Sequence, residues 1–267
     1  MKKKFVDKLL DISRKNNSLL CVGLDPDPQK LPVKDVFEFN QAIIDATQDL
    51  VCAYKPNLAF YEAMGTRGLQ ALKKTVAFIP QEIPVIGDAK RGDIGNTAAA
   101  YARALFEYYK FDAVTISPYL GYDSVEPFLN YRHGGVFVLC RTSNRSASDF
   151  QDLVDSFGMK FYQSVALKAE EWNRDGNIGL VVGATYPEEL KEVRKMCPHM
   201  PLLIPGIGAQ GGDLELTVKY GIDAHREKAV IVAARQVLYA SKGNDYARAA
   251  RKVARELRDS INRARGC

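Results

Sequence analysis

The sequence predicts a (β/α)8 barrel, and three observations lead to this prediction. Eight short runs rich in Val, Ile and Leu recur along the chain, with little alternation between apolar and polar residues. Such runs are typical of parallel strands covered on both faces. Helix-length stretches lie between the runs, and polar residues follow the end of each run. Eight strand-helix units in 267 residues match the size of this barrel, whose functional groups lie at the carboxyl ends of the strands.

The predicted elements alternate from residue 19 onward. The strands cover residues 19–24, 51–55, 85–88, 113–116, 135–140, 178–182, 202–204 and 229–232. Helices are predicted over residues 38–50, 97–109, 151–172 and 187–196, and a basic amphipathic helix over 248–265. Because no linker or repeat interrupts the alternation, we expect residues 1–267 to form a single barrel domain. A doubly wound open sheet is the competing fold, but no G-x-G-x-x-G motif follows the first strand.

Composition limits the classes of function. Hydrophobic residues make up 46% of the chain and charged residues 26%, which are ordinary globular proportions. The net charge is only +5, and the basic residues concentrate near the two ends, which favours solvated helices over a nucleic-acid surface. No window approaches the roughly 18 apolar residues of a membrane span, and the N-terminal residues lack the apolar region of a signal peptide. We therefore expect a cytoplasmic protein that binds neither nucleic acid nor membranes.

Cysteine and histidine indicate neither a disulfide framework nor a metal site. The five cysteines are an odd number without a C-x-x-C pair, and several lie in apolar runs, so buried free thiols are expected. The three histidines are far apart in the sequence and show no metal-ligand spacing. These residues are Cys21, Cys52, Cys140, Cys197, Cys267, His133, His199 and His225.

The segment 85–94 carries the strongest chemical signal. It places Asp88, Lys90 and Asp93 in the spacing Asp-x-Lys-x-x-Asp directly after an apolar run. Residues two apart on an extended segment point the same way, so Asp88 and Lys90 are expected to share one cavity. Burying such a pair costs desolvation free energy, which favours chemistry on a charged substrate. An ion pair that only caps the next helix is the alternative interpretation.

Lys55 is the lone charge at the end of the second predicted strand. Since its strand neighbours that of Asp88, the two residues can join Lys90 and Asp93 in a network of two cations and two anions. Such a network positions each ammonium group and keeps it protonated. A surface lysine whose apolar stem packs on the protein is the alternative interpretation.

A phosphate subsite is predicted after the seventh and eighth strands. Residues 205–212 read Pro-Gly-Ile-Gly-Ala-Gln-Gly-Gly and precede a predicted helix. Glycine lets backbone N–H groups approach phosphate oxygens, and a helix N-terminus adds positive potential. Arg235, after the eighth run, is a planar bidentate donor for the same phosphate, and Gln210 can bridge the phosphate and the rest of the ligand. Glycines that only shape the loop are the alternative interpretation.

In chain order, these strand-end residues resemble the orotidine 5′-phosphate decarboxylase family. The resemblance rests on Leu24-Asp25, Lys55-Pro56-Asn57, the segment from Asp88 to Ile94, the glycine-rich segment 205–212 and Arg235. The run Ser117-Pro118-Tyr119-Leu120-Gly121 is similar to the second bacterial subfamily. The resemblance extends from Val22 to about Ser241. The ordered set is more specific than Asp-x-Lys-x-x-Asp alone, which related phosphate-sugar barrels share.

The resemblance implies a decarboxylase that converts orotidine 5′-monophosphate (OMP) to uridine 5′-monophosphate (UMP) without a metal or organic cofactor. It implies that Lys90 donates a proton to pyrimidine C6, that Asp88 flanks it, and that Lys55 holds Asp88 and the ribose hydroxyls. It also implies a homodimer, in which Asp93, Ile94 and Thr97 reach the partner's site. The other implied substrate contacts are Asp25 to the ribose, Ser143 to the pyrimidine edge, Gln210 and Arg235 to the phosphate, and Asn57 and Gly211. Residues 141–150, rich in Ser and Asn, are a candidate lid.

Two other functions stay open at this point. A metal-dependent sugar-phosphate decarboxylase or aldolase shares Asp-x-Lys-x-x-Asp but needs more carboxylates for Mg²⁺, and Lys55 stands where one would help. A non-catalytic binder of nucleotide phosphates would need only the glycine-rich segment and Arg235. One departure from the family is Ala234, where many relatives have glycine. An alanine N–H still donates to phosphate, but the approach is tighter.

Overall fold

The structure is a computed structural model that describes residues 3–208 and 211–266, and its eight parallel strands form a barrel. The strands are β1 Leu20–Leu24, β2 Ala53–Pro56, β3 Ile86–Arg91, β4 Ala113–Ile116, β5 Gly135–Arg141, β6 Ile178–Val182, β7 Leu202–Pro205 and β8 Ala229–Ala233. Their order in the sheet is β2-β1-β8-β7-β6-β5-β4-β3. Parallel bridges join Tyr54 to Val85 and Asn57 to Asp88, so that β2 also meets β3. The predicted (β/α)8 barrel is confirmed.

Helices connect successive strands and cover the outside of the barrel. They are α1 Phe5–Lys15, α2 Val36–Thr47, α3 Leu58–Glu62, α4 Gly65–Phe78, α5 Gly95–Arg103, α6 Tyr122–Leu129, α7 Ser148–Gln151, α8 Phe161–Trp172, α9 Pro187–Met196, α10 Leu214–Gly221, α11 Arg235–Leu238 and α12 Tyr246–Ala264. A π-helical turn, Ala104–Tyr108, continues α5. The basic amphipathic helix predicted near the C-terminus is α12. None of the helices in the described part of the chain is long and apolar enough to span a bilayer.

The helix predicted over residues 151–172 is wrong in its first half. α7 ends at Gln151 and α8 begins only at Phe161, and between them the chain turns back so that Val154 bridges Lys160. The Asp155 carboxylate accepts hydrogen bonds from two backbone N–H groups, those of Phe157 at 2.8 Å and Met159 at 2.9 Å. Gly158 has a φ of 79°. Local side-chain bonds of this kind compete with helix formation, and the left-handed glycine keeps the turn open without strain.

Apolar side chains fill the barrel and close its amino end. The interior cluster contains Cys21, Ile86 and Phe137 from three strands, together with Phe5 and Leu9 from α1. The rings of Phe5 and Phe137 meet edge to face, with centroids 5.6 Å apart. Helix α1 therefore packs across the end at which the strands begin, and the polar strand ends lie at the opposite end.

Candidate active site

A cavity of about 440 Å³ lies at the carboxyl ends of the strands. It is the place where the barrel architecture predicts a site. Seven of the predicted site residues line it, namely Asp25, Lys55, Asn57, Asp88, Lys90, Ser143 and Arg235. They come from five different strand ends, so the fold gathers residues up to 210 positions apart in the sequence, from Asp25 to Arg235.

A larger hollow of about 970 Å³ lies at the amino end, between α1, α4 and the segment before β4. Several charged groups on its wall pair with each other. Lys8 bonds to Asp112 at 2.7 Å, and Lys15 lies 3.5 Å from Glu82. None of the predicted site residues that the structure describes lines this hollow. The cavity at the carboxyl ends is therefore the candidate active site.

Asp88 is the centre of the charged network in this cavity. Lys55 Nζ donates to Asp88 Oδ2 at 2.7 Å, and Lys90 Nζ donates to Asp88 Oδ1 at 2.5 Å. Thr115 Oγ1 donates to the same Oδ1 at 3.0 Å. Lys55 is only 4% exposed and Asp88 9%, whereas half of the Lys90 side chain faces the open cavity. The arrangement fixes one ammonium group inside the protein and presents the other to a ligand.

The electrostatics keep the Lys55–Asp88 pair ionised. Burial disfavours the carboxylate form of Asp88, but the ammonium groups of Lys55 and Lys90 outweigh burial and hold the pKa of Asp88 well below its usual value. Burial likewise disfavours the charged form of Lys55, and the carboxylates of Asp88 and Asp25 outweigh it and raise the pKa of Lys55. Opposite charges within a few ångströms favour the charged form of both partners. The Lys55–Asp88 pair is therefore charged throughout the neutral range.

Lys90 adopts a backbone conformation that few residues other than glycine adopt. Its φ is +47°, and the pairing of β3 with β4 shifts register between Gly87 and Arg91. The Lys90 backbone N–H donates to Thr115 Oγ1 at 3.0 Å, which ties this strained residue to β4. The predicted meeting of Asp88 and Lys90 occurs, and the irregular strand, rather than simple alternation, sets its geometry.

Asp25 and Asn57 form the side of the cavity nearest β1 and β2. Asp25 Oδ1 is buried and has no hydrogen-bond partner within residues 3–208 and 211–266. Burial raises the pKa of Asp25, Lys55 partly opposes this rise, and Asp88 adds to it. The Asn57 side-chain oxygen accepts from the Ala59 N–H at 3.3 Å and so caps α3. An acceptor without a donor in a cavity is a suitable partner for a ligand hydroxyl.

The predicted phosphate end is only partly described. Arg235 is the first residue of α11, directly after β8, and it lines the cavity. Gln210 lies outside the described residues, and Gly211 is exposed and does not line the cavity. The methyl group of Ala234 packs against Gly23, where any Cβ would come within 2.7 Å of it. The departure at Ala234 is therefore accommodated by a glycine on the neighbouring strand.

Asp93, Ile94 and Thr97 do not reach the cavity of their own chain. None of the three lines it. The Asp93 Oδ1 accepts from the Ile94 N–H at 2.8 Å, Ile94 is 53% exposed, and Thr97 lies exposed on α5. The predicted network of Lys55, Asp88, Lys90 and Asp93 is therefore wrong in its fourth member. Within one chain, Asp88 bonds to Lys55, Lys90 and Thr115, and Asp93 lies outside the cavity.

Thr115 and Gln236 line the cavity although the sequence pattern did not indicate a role for either. Thr115 interrupts the apolar run of β4, and this polar interruption is the signal that would have found it. Gln236 follows Arg235 and lines the cavity, and its Nε2 is buried without a partner in the described part of the chain. Nothing in the local sequence distinguishes Gln236 from an ordinary helix residue.

The described residues offer neither a metal site nor a disulfide. Across the ranges 3–208 and 211–266, no three His, Cys, Asp or Glu side chains lie close enough together to hold a metal ion. The cysteines of these ranges, Cys21, Cys52, Cys140 and Cys197, are buried free thiols, as the sequence predicts. Cys267 lies outside the described residues.

Known proteins of similar sequence match nearly the whole length of this chain. The profile of the orotidine 5′-phosphate decarboxylase / HUMPS family matches residues 18–253. The orotidine 5′-phosphate decarboxylase of Dehalococcoides mccartyi is 54% identical over 266 residues, which cover 98% of each chain. That of Cellvibrio japonicus is 52% identical and covers 98% of this chain and 99% of its own.

Solved structures agree with the sequence comparisons. The OMP decarboxylase of Leishmania donovani superposes with a TM-score of 0.90 at 40% identity, over 99% of this chain and 100% of that one. The UMP synthase of Leishmania donovani superposes with a TM-score of 0.91 at 42% identity, and this chain spans 57% of its length. On the profile match and these identities, the chain belongs to the orotidine 5′-phosphate decarboxylase / HUMPS family.

Proposed function

We propose that the protein decarboxylates OMP to UMP and CO2 in pyrimidine nucleotide synthesis. The observation that carries the proposal is the network of Lys55, Asp88 and Lys90 in the cavity. The curated relatives named above, which are 52–54% identical to this chain, bear the name of this activity. The buried free thiols fit a reducing compartment, and we place the activity in the cytoplasm.

The chemistry requires stabilisation of charge at one carbon atom. When the C6–carboxylate bond breaks, CO2 leaves and the electron pair stays on C6, in an orbital that the ring π-system cannot delocalise. In the proposed mechanism the Lys90 ammonium lies beside C6 and stabilises this charge in the transition state. It then transfers a proton to C6, which completes the uracil ring, and regains a proton from solvent. Because half of its side chain faces the cavity, Lys90 is accessible for this role.

Asp88 and Lys55 support Lys90 in this proposal. The two oxygens of Asp88 accept from the two lysines, which orients the Lys90 ammonium. Lys55 keeps Asp88 ionised and is itself too buried to donate the proton. A substrate carboxylate near the Asp88 carboxylate would be repelled until CO2 leaves, which favours decarboxylation.

The remaining predicted residues bind parts of the substrate distant from C6. We assign the ribose to Asp25 and Asn57, the pyrimidine edge to Ser143, and the phosphate to Arg235, Gln210 and Gly211. Asp25 offers a buried acceptor, and Arg235 offers a planar pair of donors. Binding energy from the phosphate, remote from the reacting bond, can then be used to order the site around the pyrimidine.

An absorbance assay tests this function. The orotate chromophore of OMP should lose its characteristic absorbance when purified protein is added, and UMP should accumulate. The same rate is expected in the presence of EDTA. Unchanged absorbance would overturn the proposal, and activity lost with EDTA would favour a metal-dependent sugar-phosphate enzyme instead.

The ribose assignment predicts a stability change at Asp25. Asp25→Asn should raise the free energy of unfolding of the ligand-free protein by about 1 kcal/mol at pH 7, because it removes a partly buried charge with an unpaired oxygen. Since the folded-state pKa of Asp25 is raised, ionisation destabilises the fold only above the unfolded pKa of about 3.9. Denaturant titrations should therefore show the gain at pH 7 and none at pH 3, while UMP affinity falls. A destabilised variant at pH 7 would contradict the assignment.

We further propose that the protein is a homodimer in which Asp93 and Thr97 complete the partner's site. Large apolar side chains that lie exposed in this part of the chain support the proposal. Ile94 is 53% exposed, Tyr119 75% and Leu120 49%. Large exposed apolar side chains mark protein–protein interaction sites when they form a patch.

Mixing two inactive variants tests the dimer. Lys90→Ala and Asp93→Ala should each be inactive alone. After mixing and subunit exchange, mixed dimers contain one intact site, so the preparation should regain about a quarter of the wild-type sites. Light scattering measures the molar mass of the wild-type protein in solution and so shows whether it is a dimer. A monomeric protein, or a mixture that stays inactive despite exchange, would contradict the shared site.

A further inference from the structure

We infer that Arg141 and Gln151 are positioning residues that fix the wall of the cavity against which the pyrimidine lies. This inference rests on the proposed function, which assigns Ser143 to the pyrimidine edge. Arg141 ends β5, and the wall consists of the next three residues, Thr142–Asn144, all of which line the cavity. Gln151 lies at the end of α7.

Gln151 binds the wall at both the backbone and the side chain of Thr142. Its Oε1 accepts from the Thr142 N–H at 2.9 Å, and its Nε2 donates to Thr142 Oγ1 at 2.8 Å. Thr142 Oγ1 in turn donates to Asn144 Oδ1 at 2.7 Å. These bonds span the residues on either side of Ser143. The amide of Gln151 therefore sets the conformation of the wall without touching a ligand.

Arg141 holds Gln151 in place. Its side chain is only 2% exposed. Its Nη1 donates to Gln151 Oε1 at 3.3 Å, and its Nη2 donates to Asp152 at 3.1 Å. The guanidinium group also lies over the ring of Tyr186, 4.0 Å from its centroid. Because the guanidinium group is buried and these bonds are partly buried, they restrain the segment after α7 more strongly than a fully exposed pair would.

The far side of the wall is restrained by the segment after β6. Thr185 Oγ1 donates to the Ser143 carbonyl at 3.2 Å, and Tyr186 OH donates to the Asn144 carbonyl at 3.4 Å. Tyr186 is thus in contact with both Arg141 and the wall. Side chains on two segments bond to Thr142–Asn144 from opposite sides and hold this loop as a preformed surface. Such preorganisation raises affinity for the group that lies against the surface.

The inference predicts a loss that is specific for the base. Gln151→Leu keeps the size of the side chain and removes its hydrogen bonds to Thr142. It should weaken UMP binding about tenfold, the equivalent of one to two hydrogen bonds. Binding of ribose 5-phosphate should stay within about twofold, because this probe carries no base. KM for OMP should rise in parallel with the loss of UMP affinity.

Gln163→Leu is the matched control. Gln163 also bonds through both ends of its amide, to the Lys160 N–H at 2.8 Å and to Glu192 at 3.0 Å, and it does not line the cavity. Gln163→Leu should change neither the affinity for UMP nor the affinity for ribose 5-phosphate. Arg141→Lys, which keeps the charge but not the planar fork, provides a second variant and should weaken UMP binding more than ribose 5-phosphate binding.

Isothermal titration calorimetry with the two probes, UMP and ribose 5-phosphate, decides between the outcomes. Selective loss of UMP affinity in the folded Gln151→Leu protein supports the inference. Unchanged UMP affinity overturns it, and so does an equal loss for both probes, since that result indicates general loosening. Wild-type protein that binds neither probe and leaves OMP unchanged would instead overturn the proposed function.

Discussion

Replacing Lys90 with alanine is expected to lower kcat for OMP by about 10⁴-fold or more, with the barrel still folded. The change removes both the ammonium charge beside C6 and the proton that C6 receives. Because the Lys90 side chain is half exposed, its loss leaves no large buried hole. Circular dichroism and the denaturation midpoint should therefore be close to those of the wild type, and the absorbance assay should show almost no turnover.

Lys110→Ala is the matched control for this experiment. Lys110 is also an exposed lysine with a left-handed backbone, at φ 62° compared with 47° for Lys90, and it lies outside the cavity. The two variants share any backbone effect of placing alanine at a positive φ. Lys110→Ala should retain wild-type activity. Turnover of Lys90→Ala within tenfold of the wild type would show that another group supplies the charge and the proton.

Replacing Asp88 with leucine is expected to abolish activity and to destabilise the protein by about 3–5 kcal/mol. The substitution leaves the Lys55 ammonium, only 4% exposed, without its closest counter-charge. The double variant Lys55→Met/Asp88→Leu should recover much of this stability, because two apolar side chains replace a buried ion pair. It should remain inactive. Urea denaturation of the wild type, Asp88→Leu and the double variant measures the differences in the free energy of unfolding.

An exposed ion pair provides the control for the Asp88 experiment. On α8, Lys168 Nζ lies 2.8 Å from Glu171 Oε2, and the two side chains are 60% and 61% exposed. Glu171→Ala should change the free energy of unfolding by less than about 1 kcal/mol. A similarly small change for Asp88→Leu would contradict the burial argument.

The pH dependence of this difference follows from the pKa of Asp88. Its folded-state pKa is lowered, so the carboxylate stabilises the folded protein at every pH above the unfolded pKa of about 3.9. The stabilisation is lost only as the pH falls from there through the lowered folded-state value. The gap between wild type and Asp88→Leu should thus be constant from pH 7 to about pH 5 and should shrink in strong acid.

The sequence predicted the barrel because its strands are buried on both faces, and such strands are continuous apolar runs. It predicted the meeting of Lys55, Asp88 and Lys90 because parallel strands end at the same rim of the barrel. The long helix before Trp172 was wrong because the turn at Asp155 depends on side-chain bonds to the backbone, which apolar periodicity does not report. The left-handed Lys90 has no local signal either, since Thr115, on another strand, holds it.

The supports of the cavity wall were beyond sequence reasoning for a different reason. Arg141 and Gln151 are ten positions apart and belong to different elements. Their spacing is not one at which residues of a single helix or strand meet. Arg141 begins the candidate lid 141–150, but its burial and its contact with Tyr186 depend on how three segments fold over one another. Contacts of this kind follow from tertiary structure alone.

The contact between Ala234 and Gly23 has a consequence for how members of this family diverge. The two positions share one small volume, because a Cβ on residue 23 would come within 2.7 Å of the alanine methyl group. A mutation that adds a side chain at one position is therefore tolerated only in a chain that already carries glycine at the other. In an alignment, the two columns should covary in size, and an ancestor that changed from one arrangement to the other should have passed through the double-glycine state.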